Sequence, residues 1–368
     1  MAVRRGAVED LVNSGFWSGK SVLITGHTGF KGAWLAIWLD RLGARLHGYA
    51  LPPPAGPSLF SAANIEQCVE TTYGDVRDLE RFRDAIGRAQ PEVIFHLAAQ
   101  SLVRASYEDP VGTYATNVMG AVNLLEVVRS CKSVRAVLIV TSDKCYENQE
   151  WLWGYREDEP LGGHDPYSSS KACAELVAAA YRRSFFSPLQ YPQHRVAIAT
   201  ARAGNVIGGG DWAEDRLVPD FMRAVLAGQE LLIRSPHAVR PWQHVLEPSI
   251  GYITLAEQLA LAGPAVAEGW NFGPHDHDAK PVSWLVEHLV KLWGEGARWR
   301  VDDNVHPHEA HCLKLDISKA QARLHWSPRW SLHEALVRVV EWYRAQRDGE
   351  DVRRVCLTQI EAYVRAGA

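Results

Sequence analysis

The stretch Lys20–Gly32, KSVLITGHTGFKG, restricts the fold more than any other part of the chain. Its apolar run, Val22–Thr25, leads into three evenly spaced glycines, and a helical run, AWLAIWLDRLGA, follows them. In a strand–turn–helix unit of this spacing, Gly26 permits the tight turn, Gly29 lets the backbone approach a pyrophosphate, and Gly32 allows close helix–strand packing. The helix N-terminus adds N–H groups and the positive end of its dipole. The stretch therefore predicts a dinucleotide-binding unit, the alternative being a glycine-rich turn without a ligand.

Strands and helices alternate along the first 203 residues of the chain. Apolar runs predict five more strands, namely Arg45–Ala50, a short one before Gly74, Val93–Leu97, Ala136–Val140 and Arg195–Arg202. Helical patterns lie between them at Leu79–Arg88, at Arg104–Cys131 with a break near Pro110, and at Tyr167–Phe186. This alternation predicts an α/β fold with a Rossmann-type doubly wound parallel sheet.

The alternation stops after Arg202, where a glycine-rich segment and shorter elements follow. We expect residues 1–203 to form the NAD-binding Rossmann domain, with a returning segment around 236–262. Residues 204–235 and 263–368 should mainly form a smaller C-terminal substrate-binding domain and C-terminal packing helices. One of these helices is predicted at Leu332–Gln346, which carries an apolar stripe.

Polar residues directly follow the fifth predicted strand. Ser142, Asp143 and Lys144 begin where its apolar run ends, and ligands bind beyond such strand ends in open α/β sheets. Tyr167 and Lys171 are four residues apart at the start of a helix, so they lie on one face. A nearby ammonium lowers the pKa of a phenol from about 10, which makes the tyrosine a candidate general base or acid. Taken alone, this pair is also typical of a solvated helix face.

Composition and charge argue against several classes of function. The formal net charge of −4 makes nucleic acid an unsuitable obligatory partner, because phosphate backbones require a concentrated basic surface. No apolar run approaches the roughly 18 residues of a membrane span, and the N-terminus lacks the apolar core of a secretory signal. The six cysteines are scattered without a CxxC pair, so we expect reduced thiols and a cytoplasmic location.

Two histidine-rich segments, residues 274–278 and 306–311, raise the question of a metal ion. Neither has the HExxH order, since His308 and His311 are three residues apart with a glutamate adjacent to His308. We therefore expect polar loops there and no metal site.

The end of the second strand leaves the choice of dinucleotide open. It reads YALPPP and supplies neither Asp nor Glu for the adenosine ribose of NAD. Lys31 lies within the glycine turn, so NADP stays an alternative at this point.

Four segments together carry a resemblance to a known family: TGHTGFKGAWLAIWL, TSDKCYEN, RAGNVIGGGDWAEDRLVPD and RPWQHVLEP. They resemble the CDP-glucose 4,6-dehydratases, a branch of the extended short-chain dehydrogenases/reductases, over nearly the whole chain. Most sugar-nucleotide 4,6-dehydratases have an acidic residue after the aspartate, whereas this chain has Lys144, as the CDP-glucose branch does. The missing ribose-binding acid also fits that branch, so the resemblance implies NAD as cofactor.

The resemblance implies a redox-neutral dehydration of CDP-glucose in deoxysugar biosynthesis, such as that of lipopolysaccharide O-antigen. Tyr167, tuned by Lys171, would take the proton of the sugar 4-hydroxyl, and Ser142 would hydrogen-bond the developing oxygen. Asp143 would protonate the departing 6-hydroxyl. Lys144 occupies the place of the glutamate that removes the C5 proton in relatives, and it would need a depressed pKa or a water relay.

The resemblance and the residue pattern together give the remaining candidate residues. Those expected to bind the cofactor are Gly26, Thr28, Gly29, Phe30, Lys31, Gly32, Asp75, Val76, Leu97, Ala98, Ala99, Gln100, Asn117, Tyr167 and Lys171. Those expected to bind the substrate are Ser101, Asn205, Arg216, Arg234, Arg240 and His244. The family usually pairs subunits through two long helices, so a homodimer or homotetramer is expected.

Two other functions stay open. A sugar-nucleotide 4-epimerase would need the tyrosine, lysine and serine but no acid for elimination, so Asp143 and Lys144 weigh against it. A non-catalytic NAD(P)-sensing protein commonly lacks the tyrosine or the lysine, and both are present here.

Overall fold

The computed structural model describes residues 13–294, 296–302, 304 and 311–367. Its strands are β1 (Ser21–Thr25), β2 (Arg45–Ala50), β3 (Val69–Tyr73), β4 (Val93–His96), β5 (Ala136–Val140), β6 (Ala197–Ala203), β7 (Val206–Ile207), β8 (Leu231–Ile233), β9 (Val239–Pro241), β10 (Gln243–His244), β11 (Gly269–Phe272), β12 (Ala279–Pro281) and β13 (Trp299–Val301). Its α-helices are α1 (Ser14–Trp17), α2 (Phe30–Arg41), α3 (Leu59–Ala62), α4 (Leu79–Ala89), α5 (Val103–Glu108), α6 (Pro110–Tyr114), α7 (Gly120–Ser130), α8 (Pro166–Ser184), α9 (Tyr191–His194), α10 (Leu217–Leu226), α11 (Leu246–Ala262), α12 (Val282–Trp293), α13 (Ser318–Leu324), α14 (Leu332–Arg347) and α15 (Val352–Arg365).

Seven strands form one parallel sheet in the order β11–β6–β5–β4–β1–β2–β3. The order reverses beside β1, which pairs with β2 on one side and β4 on the other. This is the doubly wound arrangement, so the predicted α/β fold is confirmed. The carboxyl ends of β1, β4, β5 and β6 lie along one edge, where ligands bind in such sheets.

The sheet has one strand more than the six predicted. The additional strand, β11, has only four residues, GWNF, and two of them, glycine and asparagine, are poor strand formers. The predicted sixth strand also begins two residues later than expected, at Ala197, because Arg195 has a positive φ of 55° at the end of α9.

Both faces of the sheet are covered, as a parallel sheet requires. Alternate side chains of β1 enter different clusters: Val22 and Ile24 pack with residues of α2, α11, α14 and α15, whereas Leu23 packs with residues of α4, α7 and α8. The three central residues of the strand are therefore all apolar, and the whole strand is buried.

The predicted helical stretch Arg104–Cys131 is present but divided into α5, α6, a π-helical turn at Ala115–Met119, and α7. The break lies at Asp109, whose carboxylate accepts a hydrogen bond from Gly112 N at 2.8 Å and caps α6, with Pro110 as its first residue. Single π-helical turns often occur at functional positions, and this one contains Asn117.

The C-terminal part forms three two-stranded sheets, β7–β10, β8–β13 and β9–β12, together with the last helices. Helix α15, which the sequence pattern did not predict, is fastened by several contacts, including those of Tyr363 and Arg353. Tyr363 OH donates to the buried Glu247 carboxylate, and Arg353 Nη2 lies 2.7 Å from Asp40 Oδ2 on α2. Burial raises the pKa of Glu247 to about 7, against the lowering effect of hydrogen bonds from Tyr363 and from the backbone of Trp330 and Arg329. Within the described ranges, no helix has the length and apolar character needed to cross a membrane.

Candidate functional site

Two cavities meet at the carboxyl edge of the sheet. The larger cavity, about 810 Å³, follows the glycine turn, and the smaller cavity, about 290 Å³, lies beside the end of β5. Both are lined by Lys31, Ser101, Leu102, Thr141, Tyr167, Asp211 and Arg216. The larger cavity has the size and position of a dinucleotide site at the switch point of such a sheet.

The glycine turn leaves room for a ligand backbone at the start of α2. Gly26 has a φ of +72°, and a Cβ there would lie 2.8 Å from Ala98 N. A Cβ on Gly32 would lie 2.3 Å from Gly26 O, so only glycine allows the helix to approach this closely. Gly29 is the N-cap and supplies no side-chain cap, so the first amide groups of α2 face the cavity as an anion-binding end.

One end of the larger cavity, which we call the adenosine end, is formed after β2 and β3. Arg77 binds the Asp75 carboxylate through two nitrogen atoms, at 2.9 and 2.6 Å, and lowers the pKa of Asp75. Thr28 Oγ1 donates to Leu51 O at 3.1 Å and fixes the glycine turn to the end of β2. Val76 also lines this end of the cavity.

Two of the predicted cofactor residues, Gln100 and Asn117, hold the loop after β4 instead of lining the larger cavity. Asn117 Nδ2 donates to Gln100 O and to Ser170 Oγ, and Asn117 Oδ1 accepts from Gln100 N at 2.8 Å. These bonds tie the loop that contains Leu97 and the small residues Ala98 and Ala99, all three of which line the larger cavity, to helix α8.

The residues after β5 form a buried acid. Asp143–Cys145 is a 3₁₀ turn that begins at Ser142, whose Oγ accepts from Lys144 N and donates to Asp143 Oδ1 at 2.9 Å. Asp143 Oδ2 is buried and has no hydrogen-bond partner in the described part of the chain. Burial raises the pKa of Asp143, against the lowering effect of Lys144, Ser142, Lys31 and Arg240. The aspartate is therefore suited to carry a proton.

Tyr167 and Lys171 lie on the first turns of α8, which is capped by Asp165 and begins with Pro166. Lys171 Nζ donates to Val140 O at 3.2 Å, at the carboxyl end of β5. Burial and, to a smaller extent, the charge of Lys31 lower the pKa of Lys171 to about 8. Burial also raises the pKa of Tyr167 to about 12, against a hydrogen bond with Ser142 that lowers it. The predicted net lowering of the phenol pKa is thus not seen in the free protein, because desolvation outweighs it.

A buried ion pair under this helix was missed by the sequence analysis. Arg202 Nη2 lies 2.9 Å from Glu175 Oε2, and the same carboxylate accepts hydrogen bonds from Thr141 and Thr200. It joins α8 to the ends of β5 and β6. The feature of the sequence that could have pointed to this ion pair is the position of Glu175, four residues after Lys171 on α8.

Three predicted substrate-binding arginines line the smaller cavity, together with Asn205 and Lys144. Arg216 donates to Ser101 Oγ at 2.9 Å and pairs with Asp211, and Arg234 lies 3.3 Å from Asp215. Arg240 is almost fully buried beside them.

His244 differs from the sequence prediction, because it does not line either cavity. Its ring is buried between Trp34 and Trp330, with centroids at 5.9 and 4.9 Å, and burial lowers its pKa to about 3. The side chain of β10 that was expected to face a ligand therefore belongs to the core.

The described residues contain no group of three or more His, Cys, Asp or Glu side chains that could hold a metal ion. His306, His308 and Glu309, from the second histidine-rich segment, lie outside the described residues. Cys145, beside the site, is buried and free.

The parallel sheet, the glycine turn at its centre and the Ser142–Tyr167–Lys171 set define the class of extended short-chain dehydrogenases/reductases. The profile of the family described as GDP-mannose 4,6 dehydratase matches residues 23–339. The chain belongs to this family.

Two relatives show how similar the chain is to characterised dehydratases. It is 54% identical over 356 residues to the CDP-glucose 4,6-dehydratase of Salmonella typhimurium, a match that covers 97% of this chain and 99% of that protein. It is 29% identical over 277 residues to a dTDP-glucose 4,6-dehydratase of Streptomyces niveus, covering 74% and 76% of the two chains.

Solved structures support the fold. A dTDP-glucose 4,6-dehydratase from Bacillus anthracis in complex with NAD aligns with a TM-score of 0.73 at 22% identity, covering 90% of this chain and 99% of that one. A UDP-glucose 4-epimerase from Thermotoga maritima with UDP-glucose aligns with a TM-score of 0.74 at 21% identity, covering 89% and 99%. Dehydratases and epimerases share this scaffold, so the fold alone does not separate the two activities.

Proposed function

We propose that this protein is an NAD-dependent CDP-glucose 4,6-dehydratase, a hydro-lyase that forms CDP-4-keto-6-deoxy-D-glucose and water from CDP-D-glucose. The observation that carries the proposal is the buried Asp143 carboxyl, whose Oδ2 has no hydrogen-bond partner among the described residues, in the same cavity as Ser142 and Tyr167. Dehydration needs an acid for the departing 6-hydroxyl, whereas 4-epimerisation does not. The 54% identity to the Salmonella enzyme points to the same reaction and to CDP as the nucleotide.

The residues of the larger cavity fit NAD. The turn at Gly26, Gly29 and Gly32 lines this cavity, and the uncapped start of α2 would hold the pyrophosphate. Lys171 would hold the ribose next to the nicotinamide, and Asp75 and Val76 would lie at the adenosine. When bound, NAD accepts the hydride from C4 of the sugar and returns it to C6.

The chain's own residues move the protons. In its phenolate form, Tyr167 takes the proton of the 4-hydroxyl while Ser142 hydrogen-bonds that oxygen, and the resulting 4-keto group makes the C5 hydrogen acidic. Asp143 donates a proton to the 6-hydroxyl, which leaves as water, and Lys144, in its neutral form or through a water molecule, removes and then returns the C5 proton. Tyr167 gains one proton and Asp143 loses one, so transfer of a proton from Tyr167 to Asp143 restores both groups and the turnover needs no external acid.

The arginines of the smaller cavity suit the pyrophosphate of a sugar nucleotide. Guanidinium groups bind phosphates with two parallel hydrogen bonds, and Arg216, Arg234 and Arg240 bring three of them to one wall. Ser101 and Asn205 supply neutral hydrogen-bonding groups beside them.

We further propose a homodimer or homotetramer that assembles through α5–α7 and α8. These helices pack together and carry exposed apolar side chains, including Val111, Met119 and Leu176. Pairing would remove these side chains from water.

All six cysteines are free, which suits action in the cytoplasm.

The proposal is tested by incubating the purified protein and NAD with CDP-glucose, and separately with dTDP-, UDP- and GDP-sugars. A 4-keto-6-deoxy product from CDP-glucose alone, detected by its alkaline absorbance without net NADH, is the expected result. Formation of a 4-epimer would replace the proposal with the epimerase. Binding of the sugar nucleotides without turnover would favour the sensor.

A further inference from the structure

Lys31 is the second residue of α2 and lines both cavities at the point where they meet. Its side chain is partly buried. Its ammonium makes no hydrogen bond or ion pair with a residue in the described ranges, and its charged neighbours act on it only through space. A cation in the first turn of a helix also opposes the helix dipole, whose N-terminal end is positive.

The neighbours of Lys31 show which end of the larger cavity it faces. Arg216 lowers its pKa, and Asp143 and Asp211 raise it, while burial, the largest cause, brings the pKa to about 8. Lys31 in turn lowers the pKa of Lys171. Lys31, Arg216 and Tyr167 line both cavities, whereas Asp75 and Arg77 line the larger cavity only, at the adenosine end. We call the end that the larger cavity shares with the smaller one the reacting end.

Stability does not explain a lysine in this position. The ammonium is partly desolvated, stands at the positive end of a helix, and is repelled by Lys171 and Arg216. An apolar side chain of the same length would avoid all three costs. Positions where the local rules of stability are broken in this way are expected to be functional. This also argues against the earlier reason for considering NADP, because Lys31 faces the reacting end and not the adenosine ribose.

We propose that Lys31 makes the protein discriminate between the oxidised and the reduced forms of its dinucleotide, by holding a positive charge at the reacting end of the cavity. The inference rests on the proposed cofactor, NAD. The oxidised nicotinamide ring carries a positive charge that the reduced ring lacks, so a nearby cation disfavours the oxidised form. Lys31 therefore promotes acceptance of the hydride, while it gains and loses no electrons itself.

The test compares the dissociation constants of NAD⁺ and NADH by titration calorimetry at pH 7, without any sugar nucleotide. Lys31→Met removes the charge and keeps the length of the side chain. In this variant, the dissociation constant of NAD⁺ divided by that of NADH should fall by roughly tenfold, as expected for one charge acting across a partly desolvated site. Lys31→Arg keeps the charge and should keep the wild-type ratio.

A matched control lies at the adenosine end. Arg77→Met removes a cation from the same cavity far from the ring, so it should change both constants by the same factor. Equal weakening of NAD⁺ and NADH by Lys31→Met would overturn the inference and make Lys31 a phosphate-binding lysine only. Unchanged constants in that variant would also overturn it. Lys31→Gln repeats the neutral substitution if the methionine variant does not give a wild-type circular dichroism spectrum.

These outcomes are distinguishable from failure of the proposed function. A wild-type protein that binds neither NAD⁺ nor NADH removes NAD as the cofactor, and the inference with it. If the dinucleotides bind and Lys31→Met lowers the ratio as expected, but CDP-glucose is not dehydrated, the proposed reaction is removed and the role of Lys31 is kept.

Discussion

The two ends of the larger cavity contain similar charged residues but balance them differently. At the adenosine end, Asp75 and Arg77 form a bidentate pair that is partly exposed, and each satisfies the other. At the reacting end, Lys171 and Asp143 are almost fully buried. Burial moves the pKa of Lys171 down and the pKa of Asp143 up.

This difference indicates that the adenosine end contributes to binding and that the proton transfers take place at the reacting end. A paired, solvated charge costs little and contributes little, whereas a buried charge without a partner raises the energy of the folded protein. Groups whose pKa values are moved towards the working range are those that can exchange protons. The reacting end therefore carries a cost in stability that the adenosine end avoids, and substitutions at the two ends should have effects of very different size.

The largest effect is expected for Tyr167→Phe, which removes the phenolic proton acceptor and keeps the ring. Turnover of CDP-glucose should fall by about 10²- to 10⁴-fold, the usual contribution of one general acid–base group. Product formation measures this fall, and calorimetry should show that CDP-glucose still binds. Tyr181→Phe is the control, because Tyr181 is on the same helix but bonds to Glu126 away from the cavities. Turnover of the Tyr167 variant within tenfold of wild type would remove its catalytic role.

Asp143→Asn should have the next largest effect, a fall of about a hundredfold or more in product formation, because the amide cannot protonate the departing 6-hydroxyl. The oxidation at C4 does not need this acid. A reduced-cofactor absorbance should therefore appear in this variant with CDP-glucose and be absent in Tyr167→Phe. Normal turnover in the Asn variant would count against dehydration as the reaction.

Sequence and structure agree best where the functional residues are close together in the chain. The glycine turn, Ser142-Asp143 and the Tyr167–Lys171 pair each depend on short spacings that strand and helix geometry fix. Their placement at one edge then follows from the order of parallel strands. The doubly wound sheet could therefore be predicted from local patterns, apart from the short strand β11.

The features that could not be predicted depend on contacts between distant parts of the chain. The core position of His244 is set by Trp34 and Trp330, which are far from it in sequence. The Glu175–Arg202 pair joins a helix and a strand. The pKa of Tyr167 depends on how deeply the whole edge is buried, and a local tyrosine–lysine spacing contains no information about that burial.

The pH dependence of NAD binding should show a moderate effect. The pKa of Lys171 is about 8 in the folded protein, below the ordinary lysine value, so the folded protein loses this proton before the unfolded chain does. The free energy of unfolding therefore gains from this group as pH rises from about 8 towards the ordinary value. NAD affinity should instead fall as the pH rises, because loss of the Lys171 charge weakens binding by up to about tenfold per pH unit above 8.

Calorimetric titration between pH 7 and pH 9 measures this change in affinity. Lys171→Met should show a weaker pH dependence, and Lys31→Met should move the midpoint to higher pH, because Lys31 lowers the pKa of Lys171. Lys31 also has a pKa of about 8 and its charge opposes NAD⁺ binding, so the Lys31→Met variant isolates the contribution of Lys171. A constant affinity of that variant over this range would show that the charge of Lys171 does not contribute to binding.

The smallest effect is expected at the adenosine end, where Arg77→Met removes one partner of the exposed pair. Such pairs contribute about 0–1 kcal/mol, so NAD affinity should fall by a factor of about five or less, and kcat should stay within twofold. Calorimetry and steady-state kinetics measure the two quantities. Asp75→Asn serves as the matched variant, since it removes the other charge of the same pair. If Arg77→Met weakened NAD binding a hundredfold, the adenosine end would depend on a single charge as strongly as the reacting end does, and the contrast between the two ends would be lost.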